Sequence, residues 1–550
     1  MSAPKNILFI MFDQLRWDYL GCTGHPHLDT PHIDSLAGEG VRFSRAYVQS
    51  PVCGSSRMSF YTGRYVHSHG ATWNRVPLKV GERTMGDHLR DAGMECWLIG
   101  KTHMKVDDEG MDRLGIARDT VIGARVEQCG FDVWERDDGM RPEGPEGLYD
   151  EHGAERYNDY LRDKGYHSAN PWHDFANAAR QDDAPEEMAS GWFLKNARKA
   201  AAIQENDSET PYMTSRAIEF MEQAGATPWC LHLSYIKPHW PYIAPAPYND
   251  MYGPEHVIPA VRNEREKTEA HPVFKAFMDG RIGRAFSRDE VREAVIPAYM
   301  GLIKQCDDQM GRLFKWLKDS GRWNDTLIVL TSDHGDYLGD HWMGEKDLFH
   351  EPSVKIPLIV RDPSSRADAT RGTVCDALVE AIDLSPTFLE AAGGEARPHI
   401  LEGRSLLPWL HGEYPKWRDY VVSEYDYSTN PGVAKLAGNP SSARLFMIAD
   451  KRWKFMHAEG MRCQLFDMDQ DPNEYVDLWD SPDHRAVIKL MYERLAVWAR
   501  RLSQRTTKSD ADIITERARS ANRGITLGVY DENEAPSSQT RFYRGKPRPE

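Results

Sequence analysis

The sequence lacks the features of a membrane protein and of a disulfide-stabilised secreted protein. Its eight cysteines are scattered over 550 residues, and no two of them form a Cys-x-x-Cys pair. Such spacing is typical of reduced, buried thiols. No apolar run approaches the ~18 residues that a membrane-spanning helix needs, and the first apolar stretch, Ile7–Phe12, is too short for the core of a signal peptide. We therefore expect a soluble, cytoplasmic protein with no membrane partner.

Positive charge is also scarce. The chain has 68 Lys and Arg residues against 84 Asp and Glu residues, which gives a formal net charge of −16. Binding to a nucleic-acid backbone depends on clustered Lys and Arg, so this balance predicts no nucleic-acid partner, although local basic pockets stay open. With 40% hydrophobic residues, the composition is that of a globular chain long enough to bury at least one large core.

Four short apolar runs, each followed by polar residues, are typical of strands buried on both faces of a parallel sheet. They are Ile7–Phe12 before Asp13 and Gln14, Cys96–Ile99 before Gly100–His103, Trp229–Tyr235 before Lys237–His239, and Leu327–Leu330 before Ser332–His334. In such sheets, ligands bind beyond the carboxyl ends of the strands. We therefore expect the four polar segments to meet at one site.

Helical patterns with recognisable ends alternate with these strands. Thr30-Pro31 and Ser385-Pro386 resemble an N-cap followed by proline at the first helical position. Thr84 and Asp87 resemble a capping box, and Val291–Asp319 is a long amphipathic stretch. Strands that alternate with helices predict an α/β fold with a large, doubly wound mixed sheet flanked by helices.

Changes of composition divide the chain into three parts. We predict a main α/β domain over residues 1–430, with a polar and acidic insertion at about 105–210. A break rich in Pro, Gly and Ser separates it from a smaller α+β subdomain at 431–505. The charged residues 506–550 form an extended tail that is either disordered or an arm gripping a neighbouring subunit. The second reading predicts a homo-oligomer, a dimer or a tetramer.

The smaller subdomain is predicted to be an antiparallel sheet with one helix. Leu445–Ile448 and Trp453–Met456 are typical of an antiparallel pair, and Gln464–Phe466 of a third strand. A helix is expected from about Pro482 to Leu502. Its predicted apolar positions are Val487, Leu490, Met491, Leu495 and Trp498.

Carboxylate, amide and imidazole side chains follow two of the predicted strands. Asp13 and Gln14 come after the first strand, and Asp333 and His334 after the last one. Each acid alone could merely cap the helix after its strand, but together the four side chains favour a metal site. Oxygen ligands suit Ca²⁺ or Mg²⁺, and one imidazole also suits Mn²⁺. From these residues alone we predict one divalent ion, which could be Ca²⁺, Mg²⁺ or Mn²⁺.

A cysteine opens the polar segment Cys53–Arg64, which is typical of a helix start. Backbone N–H groups at a helix N-terminus favour an anion, and Arg57, four residues on, lies on the same helical face. A lone cysteine is more often a buried structural thiol. The residues of this segment alone therefore leave both readings open.

The segment Cys53–Arg64 resembles the Cys-x-Pro-Ser-Arg and Thr-Gly-Arg signature of type I sulfatases, which belong to the alkaline phosphatase superfamily. Further segments are similar to family motifs in the same order: Gly100–His103, Lys237–His239, Ser332–Gly335, Leu338–His341 with Lys346, and Leu465–Asp467 with Asp471–Glu474. The resemblance extends from about Asn6 to Leu478. It implies that the main domain is an alkaline phosphatase-like catalytic domain.

Gln14, where other sulfatases have a second Asp, resembles the cytoplasmic branch that includes phosphonate monoester hydrolases and related bacterial sulfatases. The Cys53-Gly54 pair and Asn74 resemble the same branch. One departure is Ser55 at the proline position of the signature, which puts recognition by the maturation enzyme in doubt.

A second departure distinguishes two activities. Lys101 and His103 match the sulfatases at positions where phosphonate hydrolases carry Tyr and Thr. The resemblance therefore implies hydrolysis of aryl or small organic sulfate monoesters. The alternative is a phosphonate monoester or phosphodiester hydrolase that uses the same site, with cross-activity between the two substrate classes.

The resemblance also implies a mechanism. A formylglycine-generating enzyme would oxidise Cys53 to formylglycine, whose hydrate attacks the sulfate ester and forms a covalent sulfate hemiester. The implied metal ligands are Asp13, Gln14, Cys53, Asp333 and His334. By the same resemblance, Arg57 and Lys101 hold the sulfuryl group, and His103 accepts a proton. His239 and Lys346 assist the leaving oxygen, and Asn74 binds the substrate. A third reading is a binding protein in which Cys53 stays a thiol.

Overall fold

A computed structural model of the chain describes residues 5–74, 76–139, 156–181, 187–430, 432–503, 506–521 and 529–537. Two parts of the predicted insertion, residues 140–155 and 182–186, lie outside the described residues, as does part of the predicted tail. Within the described ranges, every helix is too short or too polar to cross a lipid bilayer.

Fifteen strands form three sheets among the described residues. They are β1 Asn6–Asp13, β2 Val41–Tyr47, β3 Glu95–Gly100, β4 Asp132–Arg136, β5 Ala178–Arg180, β6 Met188–Ser190, β7 Trp229–Pro238, β8 Thr326–Ser332, β9 Lys355–Ile356, β10 Leu358–Arg361, β11 Thr373–Glu380, β12 Val421–Asp426, β13 Arg444–Ala449, β14 Trp453–Ala458 and β15 Gln464–Asp467. The large sheet has the order β11-β2-β10-β8-β1-β7-β3-β4, with β9 paired to β2. A small hairpin pairs β5 with β6.

The four predicted strands are neighbours at the centre of the large sheet. β8, β1, β7 and β3 run parallel, so that Ile10 lies between Leu330 and Leu233. All residues of β1, β7 and β8 are buried. β10 runs antiparallel to both of its neighbours, which makes the sheet mixed. The predicted fold class is confirmed.

The described residues also form α-helices, many of which cover the two faces of this sheet. They are α1 Pro31–Glu39, α2 Cys53–Thr62, α3 Val66–His69, α4 Met85–Asp91, α5 Asp108–Leu114, α6 Val121–Glu127, α7 Arg156–Asp163, α8 Glu209–Ala224, α9 Glu264–Glu269, α10 Pro272–Met278, α11 Arg281–Phe286, α12 Asp289–Asp319, α13 Glu351–Val354, α14 Leu384–Ala391, α15 Leu407–Leu410, α16 Arg485–Ala499 and α17 Asp510–Ala521. Side chains alternate along β1 between two cores, because successive residues of a strand point to opposite faces. Phe9 enters one core and Ile10 the other.

Most predicted helix ends agree with the structure. α1 begins at Pro31 after the N-cap Thr30, and α4 has the capping box of Thr84 and Asp87. α12 is two residues longer at its start than predicted. α14 begins at Leu384, one residue before the predicted cap, because a 3₁₀ turn leads directly into it.

The second sheet is antiparallel, with the order β12-β13-β14-β15. The three predicted strands are present, and β12 is a fourth that the sequence analysis did not identify, because it lies before the break near residue 430. Met491, Leu495 and Trp498 of α16 are buried as predicted. Leu490 is 44% exposed, because it lies on the solvent-facing side of the helix.

Candidate active site

The carboxyl ends of the central strands and the start of α2 meet at one place. Asp13 ends β1, Asp333 and His334 follow β8, and Cys53 is the first residue of α2. The potential ligand atoms of these four side chains all lie within 4.8 Å of one another, and all four residues are buried. We call these residues the strand-end cluster. Residues far apart in the sequence thus form one site at the edge where parallel sheets bind ligands.

Cys53 reaches the centre of this cluster from the first turn of α2, a helix whose residues are all buried. Its Sγ atom lies 3.0 Å from His334 Nε2, 3.1 Å from Lys346 Nζ and 3.9 Å from Asp13 Oδ1. Burial by itself raises the pKa of a thiol, but Lys346 and the other nearby positive charges hold the pKa of Cys53 well below its usual range. The site therefore stabilises negative charge at residue 53.

Arg57 is fully buried in α2 and links both carboxylates of the cluster. Its Nε donates to Asp333 Oδ2 at 2.8 Å, and one terminal nitrogen donates to Asp13 Oδ2 at 3.2 Å. The other terminal nitrogen donates to the backbone carbonyl of Lys101 at 2.9 Å and to Ser234 Oγ at 2.7 Å. Because four of the five guanidinium N–H groups have partners within the chain, Arg57 positions the two carboxylates.

Lys101 and His103 follow β3 and also reach the cluster. Lys101 Nζ lies 2.5 Å from Asp13 Oδ2. The backbone N–H of His103 donates to Asp138 Oδ1 at 2.9 Å, and the His103 side chain is hydrogen-bonded to Cys53. Burial lowers the pKa of His103, and the positive charge of Lys101 lowers it further. The ring is therefore neutral and able to accept a proton.

Lys346 and His239 form a pair beside Cys53. Lys346 Nζ lies 3.2 Å from His239 Nε2, and His239 Nδ1 lies 2.8 Å from the backbone carbonyl of Trp240. Burial lowers the pKa of His239 to about 3, and Lys346 contributes to this shift. A neutral ring that donates from Nδ1 to a carbonyl has its lone pair on Nε2. Lys346 is therefore the proton donor of the pair, and His239 orients it.

Gln14 turns its side-chain oxygen toward the same lysine. Its Nε2 donates to Tyr242 Oη at 3.0 Å and to Asp336 Oδ2 at 2.5 Å, while its Oε1 lies 3.2 Å from Lys346 Nζ. The backbone N–H donates to Asp333 Oδ1 at 3.1 Å, and the φ of Gln14 is 65°. These bonds hold the residue in a left-handed conformation that side chains rarely adopt.

The donor set of the strand-end cluster suits a divalent cation. His334 Nδ1 donates to the backbone carbonyl of Gly335 at 2.9 Å, so its Nε2 faces Asp333 Oδ1 at 3.6 Å and Asp13 Oδ1 at 3.8 Å. In metal-binding histidines, the ring nitrogen that does not bind the metal makes a hydrogen bond of this kind, which fixes the orientation of the ring. Burial lowers the pKa of His334, but Asp333 and Cys53 outweigh burial and raise the pKa to about 9. The cluster therefore attracts positive charge at the Nε2 position.

An open cavity of about 900 Å³ leads to the cluster, and its walls include the predicted residues Asn74, Lys101, His103 and His239. Asn74 Oδ1 accepts a hydrogen bond from the backbone N–H of Gly54 at 2.8 Å, which joins this wall to the start of α2. The cavity also has aromatic walls, and these are formed by Trp73, Trp172, Trp192 and Trp240.

Two motif residues whose roles the sequence leaves open lie outside the cluster. His341 binds Glu266 Oε1 through Nδ1 at 2.6 Å and stacks on His350 with ring centroids 3.8 Å apart. Lys237 donates to Asn177 Oδ1 at 2.9 Å and to the backbone carbonyl of Pro241 at 3.1 Å. Both side chains have structural partners.

Several residues of the site were missed by sequence reasoning. Asp138, which positions His103, lies in an acidic run of the insertion, and Trp240 directly follows His239. Asp336 lies two residues after His334, so proximity in sequence is a usable signal for these three. Trp192 has no such signal, because only the tertiary fold brings it to the cavity. Tyr242, which accepts a hydrogen bond from Gln14 Nε2, follows His239 by three residues.

Comparisons with known proteins agree with this geometry. The chain is 32% identical over 555 residues to the multifunctional alkaline phosphatase superfamily protein PehA of Trinickia caryophylli, covering 95% of this chain and 99% of that protein. It is 28% identical over 498 residues to an arylsulfatase of Clostridium perfringens, covering 87% of this chain and 91% of that protein.

Solved structures with the same fold are also similar in sequence. A phosphonate monoester hydrolase from Silicibacter pomeroyi matches with a TM-score of 0.78 and 28% identity, covering 91% of this chain and 96% of that chain. The phosphonate monoester hydrolase of Agrobacterium radiobacter matches with a TM-score of 0.77 and 26% identity, covering 92% of this chain and 97% of that chain.

The family models cover most of the chain. The model described as Sulfatase matches residues 5–132 and 154–394. The model described as N-sulphoglucosamine sulphohydrolase, C-terminal, matches residues 339–501. The chain therefore belongs to the sulfatase family of the alkaline phosphatase superfamily.

Proposed function

We propose that this protein hydrolyses sulfate monoesters of aryl or other small organic alcohols at the strand-end cluster. The observation that supports this most is the surrounding of Cys53 by Lys346 at 3.1 Å and His334 at 3.0 Å. A group at residue 53 that develops negative charge is stabilised there, and an anionic ester is attracted to the same cations. Burial of the site strengthens both effects, because charges interact more strongly away from water.

The cluster fits a divalent cation, for which we propose Ca²⁺ or Mn²⁺. Asp13, Gln14, Asp333 and His334 would hold it together with residue 53, since the set is rich in oxygen and contains one imidazole. When bound, the cation would stabilise an oxygen anion at residue 53 and neutralise charge on the sulfuryl group. Arg57 and Lys101 keep Asp13 ionised: burial raises the pKa of its carboxyl, but these cations hold it below its usual range.

We further propose that a formylglycine-generating enzyme oxidises Cys53. Formylglycine would supply a hydroxyl nucleophile through its hydrate. His103 is placed to accept a proton from residue 53, because its side chain is hydrogen-bonded to that residue and its ring is neutral. Asp138 positions this ring by accepting the backbone N–H groups of Thr102 and His103, both at 2.9 Å.

Lys346 assists the leaving alcohol in this proposal. Its ammonium group lies 3.2 Å from Gln14 Oε1 and 3.2 Å from His239 Nε2, which hold it beside residue 53. Departure of the alcohol leaves negative charge on an oxygen, and an adjacent ammonium neutralises that charge or donates a proton to it. Asn74, with its oxygen bound to Gly54, presents its amide to the cavity and binds a non-bridging oxygen.

The second candidate function is hydrolysis of phosphonate monoesters or phosphodiesters. It is favoured by the two phosphonate monoester hydrolases among the similar solved structures. These esters and sulfate monoesters each carry one negative charge, so one arrangement of cations can bind both. Lys101 and His103 favour the sulfate ester, because they match sulfatases at the positions where the sequences differ.

The decisive experiment compares both ester classes on one protein preparation. Mass spectrometry of the peptide that contains Cys53 first measures its conversion to formylglycine. We then expect kcat/KM for phenyl sulfate to exceed kcat/KM for the phenyl ester of phenylphosphonic acid. A ratio below one on converted protein would make the phosphonate hydrolase the better assignment. An unmodified thiol in the native host, with no turnover of either ester, would instead indicate a binding protein.

A further inference from the structure

The cavity in front of Cys53 is larger than a sulfate group needs, and one of its walls is aromatic. The cavity has a volume of about 900 Å³. Trp192 and Trp240 lie on this wall with their ring centroids 5.3 Å apart and their planes inclined by 58°. None of the steps proposed above uses either indole. We call these two residues the tryptophan wall.

Trp240 connects this wall to the group that assists the leaving alcohol. Its ring centroid lies 4.1 Å from that of His239 and 5.8 Å from Lys346 Nζ. Lys346 in turn lies 3.1 Å from Cys53 Sγ. A continuous path of contacts therefore runs from the reacting residue through Lys346 and His239 to the tryptophan wall.

Trp192 is held in place by the insertion that precedes β7. Its indole N–H donates to His173 Nδ1 at 3.1 Å, and its backbone N–H donates to Ser190 Oγ at 3.3 Å. Trp172, which also lines the cavity, donates to Glu209 Oε1 at 2.7 Å. A side chain that is positioned before a ligand arrives loses little conformational entropy when it binds one.

The direction of attack relates this wall to one part of the substrate. In a displacement at sulfur, the leaving oxygen lies opposite the attacking group, and Lys346 and His239 are the groups available to it. The carbon attached to that oxygen then continues past His239 toward Trp240. We propose that the tryptophan wall is the leaving-group subsite and that it selects esters of flat aromatic alcohols over esters of small aliphatic ones. The direction of attack rests on the proposed function, but the recognition of an aromatic ring by the wall does not.

Aromatic rings gain stabilisation from offset or edge-to-face contact beyond the burial of their area. An ethyl group covers little of an indole face and gains none of this additional stabilisation, because it has no aromatic ring. Removal of the Trp192 indole is therefore expected to weaken a bound aromatic ring about tenfold. The same removal is expected to change the kinetics of an ethyl ester less than about twofold, because the cations around residue 53 are unchanged.

The first test measures binding without turnover. Equilibrium dialysis of naphthol is carried out with the wild-type protein, Trp192→Ala, Trp192→Phe and the control Trp316→Ala, whose indole contacts Glu222 and does not line the cavity. We expect naphthol to bind about tenfold more weakly to Trp192→Ala, with most of the affinity retained by Trp192→Phe. The control is expected to match the wild type. Unchanged naphthol binding in Trp192→Ala would overturn the subsite.

The second test measures kcat/KM for naphthyl sulfate and ethyl sulfate on each variant. The ratio of the two values cancels differences in folded fraction and in conversion of Cys53. We expect Trp192→Ala to lower this ratio about tenfold, and Trp240→Phe to preserve it. An equal loss on both esters would mean that Trp192 only supports the fold and would overturn the proposal.

Failure of the proposed function has a different signature. If the wild type hydrolyses phosphonate esters but no sulfate ester, the sulfatase assignment is wrong. The naphthyl-to-ethyl ratio is then measured on phosphonate monoesters, where a loss in Trp192→Ala supports the wall and an unchanged ratio overturns it. The dialysis result decides the aromatic preference even if no ester is turned over.

Discussion

Two buried groups of charged side chains in this molecule differ in how many of their hydrogen-bond and ion-pair partners lie within the chain. One is the strand-end cluster with its surrounding cations. The other, here called the junction cluster, lies where the two sheets meet and consists of Tyr47, Glu351, Lys355, Lys454 and Glu474. Both contain charges whose burial without a partner would be costly. The comparison shows which groups offset that cost in each cluster.

In the junction cluster, the partners are all within the chain. Lys454 of β14 has its Nζ 2.8 Å from Glu351 Oε1, 2.8 Å from Glu474 Oε1 and 3.2 Å from the backbone carbonyl of Phe349. Two of these contacts are hydrogen bonds, to Phe349 and Glu351, and the third is an ion pair with Glu474. Tyr47 Oη donates to Glu351 at 3.1 Å, which adds a contact from the large sheet. This cluster joins the two sheets.

In the strand-end cluster, Lys346 faces residue 53 and Lys101 faces an open cavity. The neutral rings of His239 and His103 also line that cavity, and His103 Nδ1 has no hydrogen-bond partner among the described residues. Charges with internal partners stabilise a fold, whereas charges that face a cavity are available to a molecule from outside. We therefore expect substitutions in the two clusters to have opposite effects: loss of activity in one and loss of stability in the other.

The largest expected effect is that of Cys53→Ala, which removes the proposed nucleophile. We expect kcat/KM to fall at least about 10⁴-fold, because the covalent route is lost. The melting temperature should stay within a few degrees of that of the wild type, because the substitution leaves Arg57 and its carboxylate partners in place. Turnover assays and thermal unfolding measure both quantities. Activity similar to that of the wild type would disprove a role for residue 53 as nucleophile.

Lys454→Met tests the junction cluster. The substitution leaves Glu351 and Glu474 buried without their shared cation, which is expected to lower the free energy of unfolding by about 3–5 kcal/mol. Denaturant titration measures the loss. The activity of the folded fraction should stay within about threefold of that of the wild type, since Lys454 is outside the strand-end cluster.

The matched control for this variant is Lys451→Met, in the turn that precedes the same strand. Lys451 is 57% exposed and pairs with Asp376 on the surface, so its loss should cost less than about 0.5 kcal/mol. If the two variants lose the same stability, the junction cluster does not join the sheets as we propose.

Lys346→Met removes the proposed proton donor without removing the nucleophile. We expect kcat to fall about 10²- to 10³-fold for an alkyl sulfate, whose leaving group needs the proton. An aryl sulfate with a strongly acidic phenol should lose far less. Rates over a series of phenols provide the measurement, and a loss that is uniform over the series would show that Lys346 only shapes the site.

The smallest expected effect is a dependence of stability on pH at the junction. Burial lowers the pKa of His350, and the neighbouring side chains of His341 and Lys454 lower it further, so the folded protein holds this ring neutral. The unfolded chain binds a proton below pH ~6.5. Stability from His350 is therefore complete above that pH and declines as the pH falls below it.

His350→Gln is the variant for this prediction. Comparison of unfolding free energies at pH ~6.5 and ~5 should show a smaller decline in His350→Gln than in the wild type. Other buried histidines, such as His69 and His232, are unchanged in both proteins and cancel in the difference. An equal decline of the unfolding free energy in both proteins would show that His350 does not contribute to the pH dependence.

The central strands were predictable because their sequences have a strong local signature. An apolar run that stops at a polar pair, such as the one that ends at Asp13, indicates both a strand buried on two faces and the edge where a ligand binds. The helix starts at Pro31 and Thr84 were predictable for the same reason, since caps are local. The order of the strands in the sheet was not predictable, because it depends on pairing between segments that are far apart in the sequence.

Contacts made by tertiary structure alone were beyond sequence reasoning. Nothing near β12 indicates that it pairs with β13, and nothing near Trp192 indicates that it approaches Trp240. The sequence also predicts Arg57 beside an anion, whereas the structure shows that the guanidinium first links Asp13 and Asp333. Residue type and spacing predict which side chains come together at the site. They do not predict which of these side chains form hydrogen bonds with one another.

The burial of α2 bears on when the proposed oxidation of Cys53 could take place. Cys53 is only 1% exposed, and His334 and Lys346, from much later in the chain, close over it. Under the proposed conversion of Cys53 to formylglycine, the oxidising enzyme would need access before those later segments are synthesised and folded. Oxidation and folding would then compete in time, and a chain that folds first would keep Cys53 as a thiol.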